Sequence, residues 1–483
     1  MERLKTLDAE FLHLEDGSAH MHIAGACVFP NPPPAYDDVV GLIAGKMHEI
    51  PRYRQRVRSV PLELGRPVWV DDPHFDLNYH VRHTALPAPG DDKAFTRLMG
   101  RLMSQPLDRE RPLWETWMVE GLDQDRWAMV FKVHHAMVDG IAGVQLLTVL
   151  LDITPDTTPL EPVPWAPEPE PSGTAKVVDA WGGLTKDIVT TSRRFAGVVR
   201  HPERAADVTR STVRGLSQYV HNLGFTPNRV TEGSIGPHRN WAHAAASLPE
   251  VKTVGRSFGG TVNDVILASV TTSFRHLLLS RGEDASAARV KSLVPVSTRG
   301  SDGRDVPDNR VSAILYDLPV AIADPVERLL TVHHEMAEHK DSKMAEAGEV
   351  VTTIGDLAPP MLVGVISRGA VQVMRRTPQR TLDTVTTNVP GPQFPLYLLG
   401  SEMLEYRPYV PIMHGMRLST AVLSYNGTVH FGVTGDYGTD EEVSLLADGA
   451  VEAIAELHRL ARAPAGRARK SKRSRRGAVG RAN

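Results

Sequence analysis

Trp127-Ala-Met-Val-Phe-Lys-Val-His-His-Ala-Met-Val-Asp-Gly-Ile-Ala-Gly143 is the stretch from which the fold is read. From Trp127 to Val133 it is β-branched and aromatic, with turn-forming residues just upstream, which predicts a strand. From Asp139 onward Ile141, Val144 and Leu147 recur at helical spacing, and Asp139 is placed as the N-cap. His134 and His135 therefore fall at the exit of a strand, shortly before a helix, where open α/β sheets present their reactive groups. Neighbouring side chains on a strand point to opposite faces. That argues against a shared metal, whose ligands must converge, and leaves one imidazole to act as a base and the other to support it.

Paired histidines are weak evidence alone, since 20 histidines among 483 residues make one chance pair unsurprising. His333-His334 is such a pair, inside an amphipathic helical run and without a following Asp-Gly, and is expected to carry no function. His134-His135-Ala136-Met137-Val138-Asp139-Gly140 is more specific, because the Asp, the Gly and the strand-to-helix context coincide.

This HHxxxDG pattern resembles the signature of the coenzyme-A-dependent acyltransferase superfamily, which includes chloramphenicol acetyltransferases and peptide-synthetase condensation domains. The whole chain is most similar to the bacterial wax ester synthase/acyl-CoA:diacylglycerol acyltransferase (WS/DGAT) family. Further stretches carry the resemblance in matching order: Leu7 to Leu12 with Met21-His22-Ile23, Trp69 to His83, Pro112-Leu113-Trp114-Glu115, Gly233 to Arg239, and Thr261-Val262-Asn263-Asp264. Arg289 to Arg299, Asp308 to Leu315 and Thr386 to Pro392 follow, with Asp308 standing where the family commonly has Gly. The resemblance covers roughly residues 1 to 460.

It implies a mixed α/β (α+β) fold of two chloramphenicol-acetyltransferase-like subdomains with mixed sheets, a crossover linker and the active site at their interface. It implies transfer of a fatty acyl group from acyl-CoA to diacylglycerol or a long-chain alcohol, with His135 as general base and His134 in support. The residues suit that chemistry. A neutral alcohol needs a base to take its proton as it attacks a thioester, and imidazole titrates near the working pH. Asn263 is the candidate donor to the oxyanion. Asp264 is a helix cap or a support of the site: Thr261 and Asp264 have capping-box spacing ahead of a helix expected over Val265–Arg281, and a helix N-terminus also offers positive potential. Asp139 is expected to be structural, as N-cap and as partner of an Arg, and Gly140 to let the backbone turn. Cys27 has no partnered base nearby, and no Gly-x-Ser-x-Gly elbow is present. No metal, cofactor or prosthetic group is implied; acyl-CoA enters as substrate.

Length predicts more than one domain, and composition, 41% hydrophobic and 23% charged, is that of a globular protein. One cysteine rules out an intrachain disulfide. No signal peptide is visible, and Met361 to Met374 is too short to span a bilayer and contains Arg368. The expected location is cytoplasmic, peripheral on the inner membrane face or on lipid droplets. The expected divisions are an N-terminal subdomain over 1–154, a Pro-rich linker and crossover helices over 155–230, a C-terminal subdomain over 231–462 and a basic disordered tail over 463–483. From Ala461 to Asn483 there are nine Arg or Lys and no acid, so with −3 overall the rest carries about −12.

Other features are read as follows. Arg52, Arg54, Arg56 and Arg58 alternate, which on a strand makes a cationic stripe, either a site for phosphates or a solvated face. His74, His80 and His83 show no ligand-like convergence, and Trp114 is expected to be a packing anchor. Ala175 to Leu223 is expected to cross between the halves or to lie on a membrane surface. Asn426-Gly427 between apolar runs signals a hairpin, and a closing helix is expected over Glu441–Leu460. Two other classes stay open: a carrier-protein-dependent acyltransferase or condensation enzyme, and a non-catalytic lipid-droplet or membrane-binding homologue. Nucleic-acid binding would rest on the tail alone, with no binding fold beside it, and is not expected.

Overall fold

The computed structural model describes residues 2–61, 65–137, 149–156, 160–179, 233–297, 311–341 and 382–463. Asp139, Gly140, most of the crossover stretch, the Asp308-Asn309-Arg310 stretch, Met361 to Met374 and the basic run after Ala463 lie outside those residues.

Two large sheets organise the chain. The first runs Glu405–Tyr409, His22–Pro30, Arg126–His134, Trp114–Leu122, Val81–Ala85, with only its last pair parallel. Arg126–His134 is central and buried along its whole length, which is why it reads as a nearly continuous apolar run. The strand His22–Pro30 sets His22 opposite His134. The edge strand Glu405–Tyr409 comes from the other half of the sequence and binds the chain's two ends together. It lies close because Gly25 has no side chain: a methyl group there would overlap the Tyr406 ring.

The second sheet runs Val311–Leu318, Val290–Ser297, Thr384–Pro390, Leu418–Tyr425, Thr428–Asp436, Arg239–Ser247, with Thr384–Pro390 parallel to both of its neighbours. Asn426 and Gly427, both at positive φ (40° and 85°), close the predicted two-residue hairpin between Tyr425 and Thr428. Helix Val262–Ser280 is buried along most of its length because helices Asp440–Arg462, Pro325–Asp341 and Leu248–Phe258 all pack against it. Gly449 permits that approach, standing where a Cβ would meet Ser273 at 3.1 Å. A shared cluster joins the halves: Val28 and Tyr409 of the first sheet and Phe95 and Met99 of helix Asp92–Ser104 pack with Trp241 of the second. The result is the mixed α/β, two-subdomain class read from the sequence. Among the described residues no helix is long and apolar enough to cross a membrane.

One expectation is corrected. Pro51–Arg54 is a 3-10 turn, so of the four arginines only Arg56 and Arg58 share a face of the short strand Gln55–Arg58. None forms an open phosphate site or a solvated face. Arg52 stacks over Trp69 at 4.4 Å and pairs with Glu2, and Arg54 stacks over Trp165 at 4.6 Å. Arg56 meets Glu170 at 2.9 Å and Arg58 meets Glu110 at 2.9 Å. Glu170 also receives Lys176 at 2.6 Å. The Pro- and Glu-rich segment thus lies along this basic patch. Trp114 packs as anticipated, with Nε1 donating to the Tyr53 carbonyl at 2.8 Å and its ring on His80 at 4.5 Å.

Candidate active site

The strand Arg126–His134 delivers His134 into the interior, and the chain then turns at once through a 3-10 turn, His135–Met137. The strand ends at His134, so alternation does not extend to His135, and the two imidazoles meet different partners on the segment Phe11 to Glu15. His134 is fully buried, while His135 is half-buried.

His134 Nδ1 accepts from the Ala136 N–H at 3.0 Å, which puts the ring proton on Nε2. That nitrogen faces Glu15 Oε2 at 3.5 Å. Glu15 Oε1 accepts from the Met21 N–H at 3.3 Å and lies 3.3 Å from His22 Nε2, and Oε2 accepts from Arg109 Nη2 at 2.6 Å and Nε at 3.1 Å. Burial alone would raise the Glu15 pKa, but the hydrogen bonds of His134 and His22 outweigh it and hold the carboxyl far below the usual carboxylate range. Burial pushes His22 down to about 3, so it is neutral. Lys132, on the same strand, is pushed down to about 8 by burial, and its Nζ donates to the Leu102 carbonyl (2.9 Å) and the Gln105 carbonyl (2.5 Å) at the end of helix Asp92–Ser104.

His135 is held through its backbone N–H, which donates to the Met21 carbonyl at 2.8 Å, and through its ring, stacked on Phe11 with centroids 3.9 Å apart. Phe11 and Glu15 are four residues apart at the end of helix Thr6–Leu14, so one short element braces both histidines. The same segment reaches the other half of the sequence: Phe11 and Met413 pack on a cluster of Ala19, Met21, Ile235 and Ile412, and Asp16 pairs with His414 at 2.7 Å.

Asn263 and Asp264 sit at the start of helix Val262–Ser280, which begins three residues earlier than expected. The capping box is present: Thr261 Oγ1 accepts from the Asp264 N–H at 3.2 Å, and Asp264 Oδ2 accepts from the Thr261 N–H at 2.8 Å. Asn263 Oδ1 accepts from Asn388 Nδ2 at 3.1 Å, which joins two motifs far apart in sequence. With Oδ1 so engaged, Nδ2 is the donor end of Asn263. His333, given no role from its sequence, places Nδ1 2.8 Å from Asp264 Oδ2.

The sequence-predicted residues therefore fall into two groups, His134 with His135 and Asn263 with Asp264, while Asp139 and Gly140 lie outside the described residues. Sequence reasoning missed Phe11, Glu15, Arg109, Asn388 and His333. The segments carrying Phe11 and Asn388 were singled out, but no side chain in them was given a task. Among the described residues no three His, Cys, Asp or Glu converge with metal-ligand geometry. The arrangement offers a half-open imidazole at a strand's end, braced by an aromatic ring and by a buried carboxylate network, together with a separate amide at a helix N-terminus. Those are the groups that proton transfer and oxyanion stabilisation use.

Residues 4–266 match the wax ester synthase/diacylglycerol acyltransferase catalytic domain, and residues 308–458 match the WS/DGAT C-terminal domain. A Mycobacterium tuberculosis protein named a probable diacylglycerol O-acyltransferase is 36% identical over 464 residues, 95% of this chain and 96% of its own length. The solved wax ester synthase/diacylglycerol acyltransferase of Marinobacter aquaeolei superposes with a TM-score of 0.68 at 26% identity, covering 95% of this chain and 100% of that one. The first condensation domain of the calcium-dependent antibiotic synthetase shares the fold, with a TM-score of 0.56 at 15% identity over 95% of this chain and 96% of that one. The chain belongs to the wax ester synthase/diacylglycerol acyltransferase family and is an acyltransferase.

Proposed function

We propose that this acyltransferase moves a fatty acyl group from acyl-CoA to the hydroxyl of diacylglycerol, giving triacylglycerol, and that long-chain alcohols serve as a second acceptor, giving wax esters. His135 takes the hydroxyl proton as the oxygen attacks the thioester carbonyl. Asn263 donates to the oxyanion of the tetrahedral intermediate. The carbon–sulfur bond then breaks, His135 returns the proton to the departing thiolate, and ester and free coenzyme A leave. His134 and Glu15 support the motif, Asp139 and Gly140 keep the structural roles expected of them in the sequence, and Asp264 secures the helix that carries Asn263. No cofactor enters this scheme. The observation that carries it is the half-buried His135 ring stacked on Phe11 at the strand's end, while its neighbour His134 is fully buried, accepts from the Ala136 N–H and faces Glu15.

The reaction takes place where its substrates reside, at a membrane or lipid-droplet surface on the cytoplasmic side, with the basic run from Arg467 to Arg476 drawing the chain to anionic lipid. An acceptor panel incubated with one labelled long-chain acyl-CoA tests the proposal. Labelled triacylglycerol with stoichiometric thiol release and no carrier protein is the expected result. Transfer only from a carrier-bound donor, or surface binding with no transfer at all, would overturn it in favour of a condensation-type enzyme or a non-catalytic lipid-binding protein respectively.

A further inference from the structure

The second histidine pair lies on helix Pro325–Asp341, which packs along helix Val262–Ser280. Its two members have different surroundings. His334 is 75% exposed and, among the described residues, pairs with Glu338 of its own helix at 3.3 Å. His333 turns inward to Asp264, whose side chain is 3% exposed.

A carboxylate only accepts hydrogen bonds, so the 2.8 Å contact from His333 Nδ1 to Asp264 Oδ2 places the ring proton on Nδ1. The same oxygen takes the Thr261 N–H at 2.8 Å. The capping box would be complete without the imidazole, so His333 adds a second restraint to a carboxylate that is already placed. An exposed ion pair would contribute little, but here the acceptor is shielded from water, where a hydrogen bond to a charged group is strong. Asp264 cannot rotate without abandoning two donors. Asn263, the preceding residue, is held separately by Asn388, whose Nδ2 donates to its Oδ1 at 3.1 Å.

We infer that His333 is a positioning residue for acyl transfer: acting through Asp264, it fixes the helix N-terminus that presents Asn263. This rests on the proposed role of Asn263 as oxyanion donor. Donors to a developing oxyanion act only when placed to within fractions of an ångström, so loosening this helix start costs turnover rather than substrate binding.

The test uses the full chain and follows thiol release from acyl-CoA in the presence of acceptor. His333→Ala should lower kcat about tenfold with KM for acyl-CoA within about twofold. His333→Asn, whose amide N–H can take the place of Nδ1–H, should recover most of that loss. His334→Ala should behave as wild type. Unchanged kcat in His333→Ala overturns the inference. So does a loss that follows the melting temperature and is not recovered by His333→Asn. Absence of transfer by the wild-type chain, or transfer indifferent to His135→Ala, would defeat the proposed reaction instead. The bond itself is then judged by NMR on protein labelled with nitrogen-15 histidine: a downfield Nδ1 proton that disappears in Asp264→Asn is expected, and its absence from the wild type overturns the inference independently.

Discussion

Glu15→Gln removes one charge and almost no volume, which makes it a direct probe of how the paired histidines are held. Three N–H donors, one from Met21 and two from Arg109, converge on the two Glu15 oxygens, and ring nitrogens of His22 and His134 lie 3.3 and 3.5 Å away. Glutamine keeps one accepting oxygen and turns an NH2 toward the remaining donors, so at least one buried N–H loses its partner. That costs about 1–3 kcal/mol. Arg109 is 49% exposed and recovers solvation, which keeps the loss toward the lower part of the range. A melting temperature lowered by about 2–10 °C follows if the half carrying this network unfolds as a unit. His134 loses the carboxylate its Nε2 faces at 3.5 Å, and misplacement of the adjoining turn by even 1 Å should reduce kcat by about 10–100-fold. The assays are thermal unfolding and steady-state thiol release on the same preparation. Wild-type kcat with wild-type stability would refute the claim that this carboxylate organises the motif.

The remaining predictions concern the ring on His135, acid stability and the tail. Phe11→Ala should lower kcat through a freer His135 ring, whereas Phe11→Tyr or Phe11→Trp, which keep the stack, should retain most activity; equal kcat in Phe11→Ala and wild type would exclude the stacked ring as a brace. Burial depresses His22 to about 3 and His80 and His430 to about 4, so the unfolded chain binds more protons than the folded one below about 6.5. Stability from these neutral imidazoles is therefore lost as pH falls from about 6.5 toward 4, by about 1–2 kcal/mol per histidine at pH 5, and a melting temperature constant between pH 7 and pH 5 would contradict it. Deleting residues 463–483 should weaken binding to anionic liposomes at low salt and leave turnover of detergent-dispersed substrate nearly unchanged; equal liposome binding by both chains would remove the tail's role.

Much of this arrangement was legible because it is local. The motif strand, the hairpin at Asn426-Gly427, the capping box at Thr261 and the closing helix each depend on residues within a few positions of one another. What escaped notice depends on distant partners. The edge strand Glu405–Tyr409 is short, and only its pairing with His22–Pro30 across the molecule gives it a place. Glu15 looks like an ordinary acid after an amphipathic helix until His22, Arg109 and His134 close around it. The arginine stripe departs from its sequence pattern for two physical reasons: Pro51 starts a 3-10 turn that breaks the alternation, and the acid that matches Arg56 lies far along the chain, at Glu170. His333 shows no role in sequence because its neighbours there belong to an amphipathic helix, whereas its partner, Asp264, lies on another helix.

The central claim is that His135 carries the proton in acyl transfer, and one comparison tests it most directly. Wild type and His135→Ala are assayed side by side for labelled triacylglycerol from acyl-CoA and diacylglycerol, with circular dichroism and melting temperature measured on both. Loss of general-base catalysis predicts that the variant folds as wild type does while its turnover falls by about two to four decades. A folded His135→Ala protein that transfers the acyl group at near wild-type rate would contradict the account.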